Sequence, residues 1–427
     1  MVWKRFPFLP HHDMTPDSRV KVAVALDPPE EGWPSMDLVG HQLRAELTQN
    51  DPHRSRFDIC WIEPHLKRWI SCPFGADSRL GRAAWMADRL WGRHWQAVRL
   101  ARRILKREAA AGRPLEVLHV ADHTYAQVAL AADPDMAVVC HLHDLNAFQP
   151  LLDPQRDPRP FWYRALVQRI VKGLRRAERV VCISGATRRQ AIETGLVPAD
   201  RLVVAHLGPK PSVVAEPKPT LLERVRRDLG MERGGPWLLH VGSNVPRKRL
   251  DLVLESLAAA RREWPEARLI KVGDRLTPAQ MERAGRLGVA DAVIQTGALS
   301  EERLSAVYRL ADLTLLPSDA EGFGLPIVEA LAAGCAVVAS DLEAIREVGG
   351  DQVLRVPPGD ADAWRVWTCR ALRDERSGNP ALGTQREQLR AARRAWAARF
   401  GWDQHVAAVT RAWLEALEAA RRRSQRR

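Results

Sequence analysis

Short runs of mainly apolar residues recur along this chain, separated by stretches with helical periodicity, and this alternation restricts the fold more than any other feature. Residues 19–26 read Arg-Val-Lys-Val-Ala-Val-Ala-Leu, and further strand-like runs occupy 115–120, 137–142, 179–184 and 201–206. A strand that is apolar on both faces has to be covered on both faces, which argues for a parallel sheet flanked by helices. Residues 30–37 have turn chemistry, and a helix is expected from Leu38 onward. Residues 209–219, Pro-Lys-Pro-Ser-Val-Val-Ala-Glu-Pro-Lys-Pro, form a proline-studded linker. After it the pattern restarts, with strands at 237–242, 267–273, 292–296 and 313–316 and helices at 250–264 and 301–310. The fold class is therefore α/β, with two Rossmann-like domains. A long amphipathic helix follows Gly401-Trp402 and ends in an arginine-rich tail.

A chain of 427 residues exceeds one ordinary core, which agrees with two domains. No stretch reaches the roughly 18 uninterrupted apolar residues of a membrane span. The first residues lack the apolar core of a secretory leader, so a cytoplasmic protein is expected. The six cysteines, Cys60, Cys72, Cys140, Cys182, Cys335 and Cys369, are dispersed without a C-x-x-C pair and read as reduced thiols. The formal charge of +13 comes mostly from arginines spread along the whole chain. Without interleaved aromatic signatures or zinc-finger spacing, no nucleic-acid partner is expected.

The richest segment is 312–350. The strand at 313–316 empties into a loop holding Glu321, a Gly322-Phe323-Gly324 turn follows, and Pro326 sits where a helix would begin. Glu329 lies on that helix, eight residues after Glu321. Two carboxylates flanking the free N–H groups of a helix start can hold a polyhydroxylated anion. The strand at 237–242 ends in Gly242-Ser243, and Arg247, Lys248 and Arg249 lead into the next helix. Cations beyond a strand's carboxyl end suit a diphosphate. The G-x-x-x-x-G-K-[ST] pattern of a P-loop is absent.

Residues 237–350 resemble the donor domain of retaining glycosyltransferases of the GT-B fold, family four (glycosyl transferases group 1). The resemblance rests on Val241-Gly242, Pro246-Arg247-Lys248, residues 269–273, Thr296-Gly297, Glu321-Gly-Phe-Gly-Leu-Pro326, Glu329-Ala330 and Glu347-Val-Gly-Gly350, with Glu321 to Glu329 as the E-x7-E element. In the first half, His143-Asp144-Leu145 and the Ile-Ser-Gly-Ala-Thr stretch at 183–187 are similar to family elements. The resemblance implies an acceptor-binding domain at 1–213, a donor-binding domain at 214–402, and a C-terminal helix, 403–427, crossing back to complete the first. It implies that Glu321 lies beside the donor sugar, that the N–H groups of Gly322, Phe323, Gly324 and Leu325 contact sugar or diphosphate, and that Glu329 binds the ribose. Lys248 would bind the diphosphate and His143 would reach toward the sugar, while Gly273, Thr296 and Gly297 would line the base pocket. The co-substrate implied is a nucleotide-diphosphate sugar of the GDP-mannose or UDP-hexose type, with retention of configuration and no metal or other cofactor. The acceptor would be a saccharide or lipid-linked hydroxyl compound.

The sequence departs from the family pattern at Ser243, where many members carry arginine, and Arg247 stands as its replacement. The glycine-rich loop of the first domain is reduced to Gly32, with Gly40 further on, and the usual Asn-Gly after the last strand is Leu207-Gly208. His141, His143 and Asp144, or Asp133-Pro-Asp135, invite a metal reading, but the latter is better read as a turn and no metal is expected at either. Residues 61–107 combine Trp61, Trp69, Trp85, Trp91 and Trp95 with many arginines, including Arg68. That composition fits either an anionic membrane surface or tryptophans packed on the sheet. A nucleotide-sugar-binding protein with little turnover and a basic membrane-surface adaptor stand as competing classes.

Overall fold

The computed structural model describes residues 19–49, 55–67, 70, 78–376 and 380–426. Cys72, Arg68, Trp69 and the N-terminal segment read above for a leader lie outside these residues.

Two six-stranded sheets form the frame. The first contains β1 (Val20–Ala25), β2 (Phe57–Ile62), β3 (Val117–Val120), β4 (Ala137–Leu142), β5 (Arg179–Cys182) and β6 (Leu202–Val204), in the order β2-β1-β3-β4-β5-β6. The second contains β7 (Trp237–Gly242), β8 (Arg268–Gly273), β9 (Val293–Gly297), β10 (Leu313–Leu316), β11 (Ala336–Ser340) and β12 (Leu354–Val356), in the order β12-β11-β10-β7-β8-β9. Every pairing within them is parallel. In each sheet the strand order reverses beside the first strand, between β1 and β3 and between β7 and β10. Such reversals leave a crevice beyond the strands' carboxyl ends, where ligands of open α/β sheets bind.

Successive residues of a strand face opposite sides. Ala23, Ala25, Leu118 and Val120 pack on one side of the first sheet with Tyr125, Val128 and Leu174. Val22, Val24, Val117 and Val139 face the other side, where Val406, Val409 and Trp413 of the helix Trp402–Gln425 cover them. The last helix thus completes the core of the first sheet, as the resemblance implied.

A line of histidines fastens that helix. Trp413 Nε1 donates to His119 Nδ1 at 2.9 Å, so His119 presents Nε2–H to His141 Nδ1 at 2.8 Å. His141 then donates from Nε2 to His405 Nε2 at 3.3 Å, and His405 Nδ1 donates to the Ala205 carbonyl at 3.2 Å. Each neutral imidazole has one donor and one acceptor nitrogen, so the two ends of the line fix all three tautomers consistently. Burial keeps the rings uncharged, holding His119 down at about 3 and His405 at about 4 and lowering His141 as well. Both nitrogens of His141 are committed to this line.

Two boundaries differ from expectation and one agrees with it. The helix expected from Leu38 begins at Pro34, because proline serves at a helix start and Trp33 O accepts from Met36 and Asp37 N–H. The helix after the Glu321 loop starts where Pro326 marks it, at Leu325, with Gly324 in the left-handed conformation just before it and Pro326 inside its first turn. Residues 209–219 are no free spacer: they contain a helical turn, Pro211–Val214, and lead into the helix Pro219–Asp228. Arg309 holds the carbonyls of Val213, Val214 and Ala215.

Candidate active site

The β7–β10 crevice gathers the acids and cations singled out above. Asp319 N–H donates to Arg247 O at 2.8 Å, and the Arg247 guanidinium donates to Ala320 O at 3.0 Å, binding the two loops to each other. Lys248 Nζ donates to Glu321 Oε1 at 2.5 Å, and Ser318 Oγ donates to the same oxygen at 2.6 Å. Arg247 lies 3.9 Å from Glu321 Oε2. Burial of this carboxylate, only 8 % exposed, raises its pKa, but Lys248 and Arg247 outweigh that and hold it below the usual glutamate range. Glu321 is therefore an ionised acceptor beside two cations.

Glu329 is placed differently. It is 2 % exposed, accepting from Lys210 Nζ at 2.8 Å and from Tyr308 O–H at 2.9 Å. Neither partner was singled out from sequence, because Lys210 lies in the proline-rich segment and Tyr308 in an unremarkable helix. Gly242, Gly273, Thr296 and Gly297 come together at the carboxyl ends of β7, β8 and β9. A side chain at Gly273 would meet Gly242 O at 2.5 Å, so this close passage requires glycine. Buried Lys271 donates to the same carbonyl at 2.7 Å and stays near a pKa of about 8 because of its burial. Ser243 stands beside Gly242 at the end of β7, half-buried.

The first domain meets this loop directly. Ser184 Oγ donates to Gly322 O at 2.6 Å, and Thr187 Oγ1 does so at 3.2 Å. A methyl group at Gly322 would lie 2.1 Å from His143 O, so glycine is needed for the approach. The motif elements of the two halves are thus in contact. The His143 ring is turned inward, donating from Nε2 to Ala121 O at 2.9 Å, and burial together with neighbouring His123 lowers its pKa. It is the backbone of His143 that abuts the loop.

At the β1–β3 crevice stands Gly32, the residue expected in the reduced glycine loop. It adopts the left-handed conformation (φ 64°) and closes the turn Pro29–Glu31. That turn buries Glu31, which accepts from Arg89 Nε at 2.7 Å and Tyr125 O–H at 2.6 Å, with Arg93 at 3.4 Å. Asp27 and Asp122 each lie two residues past the paired Ala25 and Val120. Burial, then the charge of Asp122, lifts Asp27 to about 7, and its Oδ2 has no hydrogen-bond partner among the described residues. Burial alone would lower His123, but its contact with Asp144 and the charge of Asp122 raise it. Burial would raise Asp144, but His123 pulls it well below the usual range. An aspartate two residues past each strand's end is the available signal for Asp27 and Asp122.

Trp61 lies in β2 with the Arg44 guanidinium 4.5 Å above its ring, and Trp91 stacks on Trp95 at 5.1 Å. Leu80, Met86 and Trp91 are exposed on the helix Arg79–Trp91, as are Phe161 and Trp162 at the start of Phe161–Arg176.

Comparison with known proteins places these features in a family. Residues 63–212 match the model of Glycosyltransferase Family 4, and residues 235–374 match that of Glycosyl transferases group 1. A D-inositol 3-phosphate glycosyltransferase of Thermobispora bispora is 30 % identical over 259 residues, 58 % of this chain and 58 % of that protein. The serotype-specific mannosyltransferase WbdA of Escherichia coli is 28 % identical over 260 residues, covering 57 % of this chain and 30 % of WbdA. The chain therefore spans less than two thirds of the length of these curated relatives. Among solved structures, Anabaena HepE in complex with UDP and glucose superposes with a TM-score of 0.64 at 19 % identity, covering 94 % of this chain and 100 % of HepE. This chain therefore combines a domain matching Glycosyltransferase Family 4 with a domain matching Glycosyl transferases group 1, on two parallel sheets in the GT-B arrangement.

Proposed function

We infer that the protein transfers a hexose from a nucleotide-diphosphate sugar, of the GDP-mannose or UDP-hexose type, to a hydroxyl acceptor with retention of configuration. The reading is supported most by one observation: Glu321, Lys248 and Arg247 sit at one crevice, where the loop meets the His143 backbone and the Ser184 hydroxyl of the other domain. Breaking the anomeric C–O bond leaves positive charge on the sugar and negative charge on the diphosphate. Lys248 and Arg247 are fixed where that negative charge develops, a preorganised stabilisation that asks for no metal. Glu321 would exchange its contact with Lys248 for sugar hydroxyls when the donor enters. Glu329, held by Lys210 and Tyr308, would accept from the ribose, and Gly273, Thr296 and Gly297 would border the base. The acceptor hydroxyl attacks on the face from which the diphosphate departs, and the departing phosphate oxygen takes its proton. Acceptors of the envelope-glycan or lipid-linked saccharide kind fit the family.

Release of nucleoside diphosphate is the direct assay, run with a panel of donors and glycan acceptors. Binding of nucleotide without hydrolysis or transfer from any donor would favour a binding protein and refute the enzyme reading. Glu321→Ala is expected to abolish transfer with the fold retained; an unchanged rate would refute its role. Exposed Leu80, Trp91 and Phe161, the last 84 % exposed, support docking of the first domain on an anionic membrane at the inner face of the cell membrane. Flotation with anionic vesicles that fails at low salt would refute it.

A further inference from the structure

A cleft of about 1180 Å³ opens beside the proposed reaction centre and is lined from both domains. Residues 146–159 of the first domain form one wall; the Val245–Asp251 loop, the helix Pro278–Arg286 and Asp319-Ala320 form the other. Asn146 belongs to the segment after His143 and is bound to Asp144, while Arg247 also reaches Ala320 and Glu321. The cleft therefore borders the loop that holds Glu321, where the donor sugar would lie.

Its lining carries a strong charge bias. Arg156, Arg159, Arg247, Arg249, Arg283 and Arg286 line it, against three acids, Asp157, Asp251 and Asp319. Those acids are already engaged: Asp157 with Arg159 at 2.8 Å, and Asp251 and Asp319 with Arg249 at 2.8 and 3.2 Å. The Arg156 guanidinium has no partner among the described residues, and Arg286 pairs only with Glu282 on its own helix. Guanidinium groups on two facing walls match the planar, two-oxygen geometry of phosphate and carboxylate. The volume also exceeds what one monosaccharide fills.

We propose that this cleft is the acceptor's entry site and selects an anionic saccharide, one bearing a phosphoryl or carboxylate group, with Arg156 and Arg286 holding that group from opposite walls. This rests on the transferase reading above and adds a substrate class to it. The donor diphosphate stays with Lys248, and the acceptor's anion binds further out.

Calorimetric titration of the full chain with glucose, glucose 6-phosphate and glucuronate tests the assignment, with UDP or GDP saturating so that the diphosphate subsite is filled. One charge-assisted hydrogen bond corresponds to about tenfold in affinity, so at least one charged sugar is expected to bind tenfold or more tighter than glucose. The ranking of phosphate against carboxylate identifies the group. The double variant Arg156→Ala, Arg286→Ala is expected to bring the charged sugars to the glucose level while nucleotide affinity is unchanged. Charged and neutral sugars binding alike, including neither binding, would overturn the proposal. So would a preference that survives the double variant, or displacement of the charged sugar by nucleotide. Failure of both nucleotides to bind would count against the transferase reading alone; the sugar titrations are then read on the nucleotide-free protein.

Discussion

The Glu347 carboxylate accepts the Gly185 backbone N–H at 2.7 Å, spanning the cleft between the two sheets. Ala186 N–H donates to its other oxygen at 3.0 Å, and His206 Nε2 lies 2.5 Å away. One acid of the second domain thus caps a helix of the first, the helix Gly185–Glu193. Burial opposes ionisation of Glu347, but His206 and the two N–H groups outweigh it and lower its pKa. A carboxylate lowered in this way contributes its contact above the ordinary value of 4.5 and loses it as pH falls through the depressed value. Glu347→Gln should accelerate amide exchange at Gly185 and Ala186 by about tenfold at neutral pH, since it removes a charge-assisted acceptor. The difference from the parent should vanish in strong acid; equal exchange at pH 7 would show that the contact does not hold the domains.

Gly322 has a sharper requirement, because a Cβ there meets the backbone oxygen of His143 at 2.1 Å. Gly322→Ala forces the loop off the first domain. A displacement of about 1 Å costs on the order of 100-fold in rate when reacting groups are misaligned. Transfer is expected to fall by that amount while circular dichroism stays unchanged. Retention of rate would mean that this contact is broken during turnover.

Lys210 and Tyr308 hold Glu329 from two directions. Removing one charged or one neutral hydrogen bond, by Lys210→Met or Tyr308→Phe, frees Glu329 to reorient. Nucleotide affinity should weaken by about tenfold for the lysine variant and less for the tyrosine variant. Titration with UDP and GDP measures this, and an unaltered Kd in both variants would remove Glu329 from the nucleotide site.

Asp27 gives a pH signature. Its pKa in the folded protein, about 7, exceeds the ordinary aspartate value of 3.8, so the protonated form is the one that folding favours. The associated stability is complete below 3.8 and is lost as pH rises through 7. Asp27→Asn carries no such ionisation. Its melting temperature should gain on the parent steadily from pH 4 to pH 8, approaching the equivalent of about 4 kcal/mol for a shift of that size. Parallel melting curves against pH would show Asp27 to be an ordinary solvated acid.

Much of this architecture was legible because apolar runs with abrupt ends are local. The expected strands at 137–142, 237–242 and 313–316 and the helix at 301–310 coincide with β4, β7, β10 and Glu301–Leu310. β2 went unnoticed: Phe-Asp-Ile-Cys-Trp-Ile mixes polar and aromatic residues, as an edge strand tolerates. The π-helical turn Gly92–Gln96 had no sequence signal either. In the site, motif order singles out both Glu321 and Lys248, though not their direct contact. The pairings of Glu347 with Gly185 and of Lys210 with Glu329 were not anticipated, since 162 and 119 residues separate the partners and neither pair leaves a periodic trace. The proline-rich stretch was misjudged for a related reason: fixed φ angles stiffen a spacer and prepare a docked segment equally well.

The helix Trp402–Gln425 lies last in the chain, yet Val406, Val409 and Trp413 fill the core over β1, β3 and β4. During synthesis, then, the earliest strands leave the ribosome long before their cover exists. The second sheet has all its strands by Val356, so it matures while the first still exposes a valine-lined face. Translation order and folding order are inverted, and a chain stopped short of residue 402 would retain a finished second domain joined to an open, adhesive first one.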